Sequence, residues 1–317
     1  MSNRVTSRQP ASTVKLSIVI VSWNTLDLLV QCLNSIYDPA PSMEFETLVV
    51  DNASTDGSAV AVRELYPHVR LIENAENVGF ARANNQAIRQ ANGQYILLLN
   101  PDTLVIPGAL DMLVSFMDEY PEAGLAGART LNPDHTLQAS CYPAPTLSRE
   151  IWRLLHLDAI VPYGAYRMSD WPVDLPRRVE ALLGACILVR PAVFEQIGLF
   201  DADYFFTAEE IDLCRRAARA GWTIYWVPQA QIIHYGGQSS RLIAEKAFLL
   251  LYEGKVMYFR KQLGSLNAVL YKLALALASL LRISAAPFIL VEPAARRERH
   301  RVLLSRYCRL LRALPGM

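Results

Sequence analysis

The chain has 317 residues, enough for one large α/β domain with an appendage. Hydrophobic residues make up 52% and charged residues 19%, which supports a substantial core and excludes a mainly disordered chain. The net charge of +1 conceals an asymmetry: residues 1–240 hold 17 Lys/Arg against 26 Asp/Glu, whereas residues 241–317 hold 14 against 4. An acidic body with no basic stripe argues against nucleic acid as a partner, while a basic, apolar tail suits an anionic membrane surface.

Residues 1–13 are rich in Ser, Arg and Pro and read as a flexible leader without the apolar core of a secretory signal. Leu16–Val21 is an apolar run expected to form a buried strand, followed by a helix through Leu28, Leu29, Cys32, Leu33 and Ile36. Phe45–Asp51 and Val69–Glu73 are the next strands, separated by a short helix from Gly57 to Tyr66. A helix from Phe80 to about Ala91 leads to a fourth strand at Tyr95–Leu99, and Pro107 suits the first position of a helix running to Tyr120. Apolar strands spaced by amphipathic helices predict an α/β fold with a mostly parallel central sheet flanked by helices. Ligands of such sheets bind beyond the carboxyl ends of the strands.

Residues 131–181, rich in Pro, Tyr and Trp, read as an irregular insertion over the active site. Order resumes with a strand at Leu182–Arg190, helices at Pro191–Ile197 and Ala208–Ala220, and strands at Thr223–Val227 and Gln231–His234. Beyond Arg241 the pattern is helical. Leu266–Val291 is strongly apolar, but Lys272 and Arg282 divide it into charge-free stretches too short for a clean membrane crossing. An interfacial helix or re-entrant pair, followed by the Arg-rich segment 296–312, fits better. The competing reading is a helical hairpin packed on the enzyme or a dimer interface, so a homo-oligomer stays open. Five scattered cysteines (32, 141, 186, 214 and 308) have no CxxC spacing and read as reduced, buried side chains of a cytosolic protein.

Polar clusters follow each of the first four strands: Ser22-Trp23-Asn24-Thr25, then Asp51-Asn52 running to Gly57, then Asn77-Val78-Gly79-Phe80 with Asn84 and Asn85, then Asn100-Pro101-Asp102-Thr103. A carboxylate at a strand end can accept hydrogen bonds from a base or ribose. Gly79 lets backbone approach a flat ligand, and Asp102 is a candidate ligand for a hard cation that bridges phosphates. Taken singly, these clusters also read as helix caps, with Ser54 or Thr55 at the N-cap, or as turn chemistry. Their recurrence at four successive strand ends favours a site.

In order and spacing, Ser17–Asn24, Val49–Ser58, Asn77–Phe80 and Leu98–Thr103 resemble the inverting family-2 glycosyltransferases, most closely their rhamnosyltransferase-like branch. Gly184–Arg190, Phe200-Asp201, Glu209–Arg215, Gly221-Trp222 and His234–Ser239 extend the resemblance over residues 15–240. It implies a GT-A-type domain over residues 14–240, with a nucleotide-binding half (14–130), an acceptor-binding half (131–240) and a helical, basic, membrane-associating extension at 241–317. It further implies a nucleotide-diphosphate sugar donor, Mg²⁺ or Mn²⁺, and a glycan or polyprenyl-diphosphate-linked acceptor at the inner face of the cell membrane.

By the same resemblance, Ser22, Trp23, Asn24, Asp51, Asn52, Asn77, Gly79, Phe80, Asn84, Asn100 and Asp102 bind the nucleotide, and Asp102 and His234 hold the metal or diphosphate. Gly184, Ala185, Glu209 and Asp212 face the acceptor, and Glu210 is the catalytic base. Two departures stand out. Asn100 replaces the first Asp of the metal-binding DxD motif, and Glu210 stands where many relatives have Asp. Thr207-Ala-Glu-Glu210 is also a capping box in its own right, and Asp212 and Arg216 have i,i+4 ion-pair spacing. A nucleotidyltransferase would need a Gly-rich phosphate loop and a dinucleotide oxidoreductase a GxGxxG, neither of which follows the first strand. A non-catalytic nucleotide-binding scaffold is the remaining alternative.

Overall fold

The structure, a computed structural model, describes residues 14–237, 244–284 and 294–317. The leader, Gln238 and Ser239 of the second-half motif, and the end of the apolar run at Val291 lie outside the described residues. The first seven elements follow the sequence pattern: β1 (Leu16–Ser22), α1 (Leu26–Tyr37), β2 (Phe45–Asp51), α2 (Ser58–Leu65), β3 (Arg70–Glu73), α3 (Phe80–Ile88) and β4 (Tyr95–Leu99). All seven residues of β1 and all five of β4 are buried, as continuous apolar runs require of strands covered on both faces. These four strands are parallel in the order β3-β2-β1-β4. Their register, with Ser22 opposite Asp51 and Asp51 opposite Glu73, brings the polar strand ends to one edge.

The second half departs more from the sequence pattern. β5 (Thr103–Val105) precedes α4 (Ala109–Glu119), whose N-cap is Gly108 in the left-handed region, so Pro107 lies before the cap rather than at the first helical position. β6 (Ala123–Leu131) is a central strand that hydropathy does not mark, because it is built largely from Ala and Gly. A Cβ on Gly124 would come within 2.7 Å of Trp222 and one on Gly127 within 2.6 Å of Leu182, so close packing dictates the small residues.

β7 (Cys141–Tyr142) pairs with β9 (Ala181–Leu182). Between them lie α5 (Leu147–Leu154), capped by Thr146, and β8 (Arg177–Arg178). The strand expected over Leu182–Arg190 is broken: β10 covers only Cys186–Val189, and the chain turns at Leu183–Ala185. After α6 (Pro191–Ile197) and α7 (Glu209–Arg219), the two strands expected at 223–234 form one, β11 (Thr223–His234). A bulge between Val227 and Gln231 marks the place where Pro228 has no N–H to pair. The main sheet runs β3-β2-β1-β4-β10-β6-β11-β5, with β10 and β5 antiparallel to their neighbours.

One apolar layer packs α1, α2 and α4 on one face of this sheet, and another packs α3, α6 and α7 on the other. Each fully buried Leu or Ile in these layers contributes roughly 1.5–3 kcal/mol. A third cluster joins α8 (Ala244–Tyr258), α9 (Ser265–Ser284) and α10 (Ala294–Ala313) to Tyr204 and Ala208, just ahead of α7. Glu150 of α5, 1% exposed, ties this region down by pairing with Arg153 at 2.9 Å and Lys255 at 2.7 Å.

The helix α9 is two-faced. Ala268, Tyr271, Leu275, Ala278 and Ser279 pack inward, while Leu266, Val269, Leu270, Leu273, Leu277, Leu280 and Leu281 are exposed along the other side. Lys272 donates to the Met317 carbonyl and Arg282 to that of Leu154. By length and composition alone, α9 is the one described helix apolar enough to cross a membrane.

Candidate active site

The loops beyond β1, β2 and β3 bind one another. Asn24, in the left-handed region, donates its N–H to Ser54 Oγ (2.9 Å) and accepts at Oδ1 from the Thr55 N–H (2.7 Å). Neither Ser54 nor Thr55 caps α2. Gly57 is its N-cap, and Asp56 accepts from the Ser58 N–H. Asn52 Oδ1 accepts from the Val78 N–H and from Asn74 Nδ2, each at 3.1 Å, and Asn52 Nδ2 donates to Asn77 Oδ1 at 2.8 Å. Asn77 Oδ1 also accepts from the Gly79 N–H. At Gly79, with φ +86°, a Cβ would lie 2.7 Å from the Phe205 carbonyl, which accepts from the Phe80 N–H. Glycine is therefore required there.

These loops frame a cavity of about 480 Å³ lined by Trp23, Asn52, Asn77, Gly79, Phe80, Phe205, Phe206 and Lys246. Asp51, 4% exposed, accepts from the Ser54 N–H through Oδ2, while its buried Oδ1 has no partner. Four expected nucleotide contacts, Ser22, Asn24, Asp51 and Asn84, lie outside both cavity linings. Ser22 is buried and bonded to Thr25, and Asn84 is buried and donates to the Phe80 carbonyl within α3. The neighbouring Asn85 is also structural, exchanging two hydrogen bonds with the backbone of Phe200.

A second cavity, about 240 Å³, shares Val21, Phe80 and Phe206 with the first. It is lined by Asn100, Asp102, Gly184, Glu209, Glu210 and His234. Pairing of β5 with β11 sets Thr103 opposite His234, which places His234 Nε2 3.2 Å from Asp102 Oδ1. The Asn100 N–H donates to the Ala185 carbonyl, so Ala185 serves this wall through its backbone while its side chain is buried. Gly184 lies against Glu210, whose Cβ would be 3.8 Å from an added methyl.

Among the described residues no three His, Cys, Asp or Glu side chains form a ready metal cluster. Two ligands, Asp102 and His234, fit an ion that takes its other ligands from phosphates and water, which is how hard divalent cations bind at phosphoryl sites.

Glu209 and Glu210 open α7, where the helix N-terminus favours negative charge. The capping box is not formed. The N-cap is Ala208, in a left-handed conformation that costs a non-glycine residue energy, and Thr207 Oγ1 donates instead to the Leu250 carbonyl. Glu209 and Glu210 each have a buried Oε2 without a partner. Burial, then the charge of Glu210, pushes the Glu209 carboxyl well above the usual carboxylate range, and burial raises that of Glu210.

Asp212, expected beside the acceptor, lies away from both cavities. It pairs with Arg216 at 2.7 Å and accepts from Gln262 at 2.6 Å, anchoring α7 to the C-terminal helices. The 131–181 segment supplies no residue of either cavity lining, although its Tyr142 lies within reach of the charge of Glu210. Gln138 of the same segment backs His234. Sequence reading missed Gln138 and Lys246, because a single Gln in an irregular segment and a single Lys in a basic tail carry no pattern.

The site can be set beside known proteins. Family models match residues 17–168 (Glycosyl transferase family 2) and 95–262 (Glycosyl transferase family group 2). An N-acetylglucosaminyl-diphospho-decaprenol L-rhamnosyltransferase of Mycobacterium tuberculosis is 31% identical over 233 residues, covering 64% of this chain and 75% of its own. The chain belongs to glycosyltransferase family 2.

Within this family, Rhamnosyltransferase WbbL of Escherichia coli is 25% identical, over 73% of this chain and 87% of its own. Among solved structures, the mannosyltransferase PcManGT from Pyrobaculum calidifontis, in complex with GDP-Man and Mn²⁺, superposes with a TM-score of 0.59. That match, at 20% identity, covers 97% of this chain and 88% of the other, and establishes a shared fold. This family-2 chain is accordingly a rhamnosyltransferase-like glycosyltransferase with a GT-A-like α/β fold.

Proposed function

We propose that this glycosyltransferase moves a sugar, first choice rhamnose from dTDP-rhamnose, onto a glycan or polyprenyl-diphosphate-linked acceptor by a single inverting displacement. The observation that carries the reading is the placement of Glu210, with its unpartnered oxygen, in the same small cavity as Asp102 and His234. The adjoining larger cavity supports nucleoside binding, with Asn52 and Asn77 for polar recognition, Asp51 next to Asn52 at the end of β2, and Trp23 and Phe80 as apolar walls. Lys246 stands at its rim as a cation for the diphosphate.

Glu210 takes the proton from the acceptor hydroxyl as that oxygen bonds to the anomeric carbon. The bond from that carbon to the diphosphate oxygen breaks in the same step, and the nucleoside diphosphate leaves. A raised pKa suits Glu210 for this work, because a stronger base accepts a hydroxyl proton more readily. A Mg²⁺ or Mn²⁺ ion held by Asp102 and His234 would offset the charge growing on the departing diphosphate. No covalent sugar–enzyme intermediate is required. A hexosyl transfer from a UDP- or GDP-sugar is the alternative.

The first test is titration calorimetry with dTDP-rhamnose, UDP-sugars and GDP-sugars, with and without Mn²⁺. Tight, metal-dependent binding of dTDP-rhamnose is expected. Preference for a UDP- or GDP-sugar would select the alternative, and binding of none would favour a non-catalytic scaffold.

The acceptor reading extends to location. Seven exposed Leu and Val side chains along α9 form an apolar stripe, and its two cations are tied to backbone carbonyls. A spanning orientation would strip Tyr271, Leu275 and Ser279 from their packing. A helix lying in the interface of an anionic inner leaflet keeps that packing and buries the stripe, with the basic α10 beside it. Flotation with anionic vesicles should retain the intact protein and lose a Leu273→Glu/Leu277→Glu variant. Equal flotation of the two would remove α9 from the membrane contact.

A further inference from the structure

His234 touches Asp102 through Nε2, and what that nitrogen can do depends on the other side of the ring. There, Nδ1 lies 2.7 Å from Gln138 Oε1. An amide oxygen only accepts and an amide nitrogen only donates, so the orientation of Gln138 decides where the imidazole hydrogen sits. That orientation is over-determined.

Gln138 Nε2 faces two acceptors, Asn132 Oδ1 at 2.9 Å and the His234 carbonyl at 3.0 Å, and a flipped amide would set oxygen against oxygen at both. Asn132 is fixed in turn, because its Nδ2 lies 2.9 Å from Thr136 Oγ1. The Thr136 hydroxyl spends its hydrogen on Asp134 Oδ1 at 2.5 Å, which leaves its oxygen to accept from Asn132. Asp134 also accepts from the Thr136 N–H at 3.0 Å, anchoring the start of the chain. Every donor and acceptor from Asp134 to the imidazole therefore points one way.

We infer that Gln138, oriented through Asn132, Thr136 and Asp134, is a positioning residue that keeps the hydrogen of neutral His234 on Nδ1 and turns the Nε2 lone pair toward Asp102 to complete a divalent-cation site. The cation role rests on the reading of Asp102 and His234 given above, while the tautomer stands on the hydrogen-bond directions alone. Two acceptors 3.2 Å apart, Asp102 Oδ1 and Nε2, then need a cation between or beside them. The opposite tautomer would present an N–H to that cation and abolish the ligand. Partners behind a metal-binding imidazole commonly change affinity 10- to 100-fold when removed.

The test compares the full-length wild type with Gln138→Leu and Gln138→Glu. Long-range ¹H–¹⁵N correlation of the metal-free wild type, recorded where the spectrum itself shows a neutral ring, should show His234 as the Nδ1–H tautomer. Binding of Mn²⁺, alone and with dTDP, is read from the electron paramagnetic resonance of free Mn²⁺. Gln138→Leu should weaken Mn²⁺ binding about 10- to 100-fold. Gln138→Glu should lose clearly less than Gln138→Leu, because one carboxylate oxygen still accepts from Nδ1–H, although the other now faces Asn132 Oδ1 and the His234 carbonyl.

That rescue separates positioning from loop support, since Glu cannot donate to Asn132 or the His234 carbonyl. Equal losses in both variants, or unchanged binding in Gln138→Leu, would overturn the inference. If Gln138→Leu fails to fold, the wild-type tautomer decides, and an Nε2–H form rejects the proposal. An Nδ1–H ring in a wild type that binds no Mn²⁺ would reject the metal reading and uphold Gln138's hold on the tautomer. An Nε2–H ring in a protein that binds Mn²⁺ would do the reverse.

Discussion

The two cavities of the cleft treat their polar groups in opposite ways. Around the larger one, Asn24, Ser54, Thr55, Asn52 and Asn77 satisfy one another and the loop backbone, so the walls are set before any ligand arrives. In the smaller one, Glu209 and Glu210 begin the same helix and each leaves a buried oxygen without a partner. Unmade hydrogen bonds of buried carboxylates are costly, and that cost is tolerated where a group must exchange a proton. On the proposed reading, the larger cavity is a mould for the donor and the smaller one holds the basicity that meets the acceptor.

The largest expected effect breaks the reactive side. Glu210→Gln keeps the size of the side chain and removes its ability to accept a proton, so transfer should fall about 100- to 10,000-fold while donor binding persists. Turnover and calorimetric titration on the same preparation check this. Transfer at the wild-type rate would move the base to another residue, and lost donor binding would mean that Glu210 shapes the mould as well.

A smaller effect is expected from the mould. Asn52→Ala leaves the Val78 N–H without a partner and takes from Asn77 Oδ1 one of its two donors, the Gly79 N–H remaining. A buried group orphaned in this way costs about 1–3 kcal/mol, so donor affinity should drop about tenfold and the melting temperature should fall, with turnover at saturating donor preserved. A variant matching wild type in both affinity and melting temperature would show that the loops do not depend on this network.

The same contrast explains what could be read from the sequence. The strands β1 to β4 are continuous apolar runs, and the polar clusters at their ends are local in the chain, so the fold and much of the wall of the larger cavity were legible. Local pattern failed where tertiary packing chose the residues. Ala and Gly in β6 answer to Trp222 and Leu182 from across the fold. Thr207 has the spacing of an N-cap yet turns to Leu250, while Gly254 of α8 packs so closely on Thr207 that an added methyl would overlap its carbonyl. Asp212 has the spacing of an ion pair and forms it, which withdraws it from the acceptor role that motif resemblance implied. Lys246 and Gln138 come from segments with no periodic signal, and only the folded chain brings them to the cleft.

The finest distinction between the two sides is a stability effect with a pH signature. Glu209 is held well above the usual carboxylate range by burial and by Glu210, and Glu210 is raised by burial. The folded chain therefore keeps protons that the unfolded chain releases above about pH 4.3. Stability contributed at acid pH is lost as pH rises from that value through the raised folded values. Glu209→Gln removes a group that must either hold its proton or bury a charge, so it should raise the melting temperature by a few degrees near neutrality, about 2–4 °C for each kcal/mol recovered. At about pH 4, where the carboxyl is largely protonated folded or unfolded, the gain should nearly vanish. Melting curves of both proteins across this range test the sign. A gain of equal size at both ends would assign the effect to packing, and a loss at neutral pH would show that the Glu209 carboxylate stabilises α7 through the helix dipole.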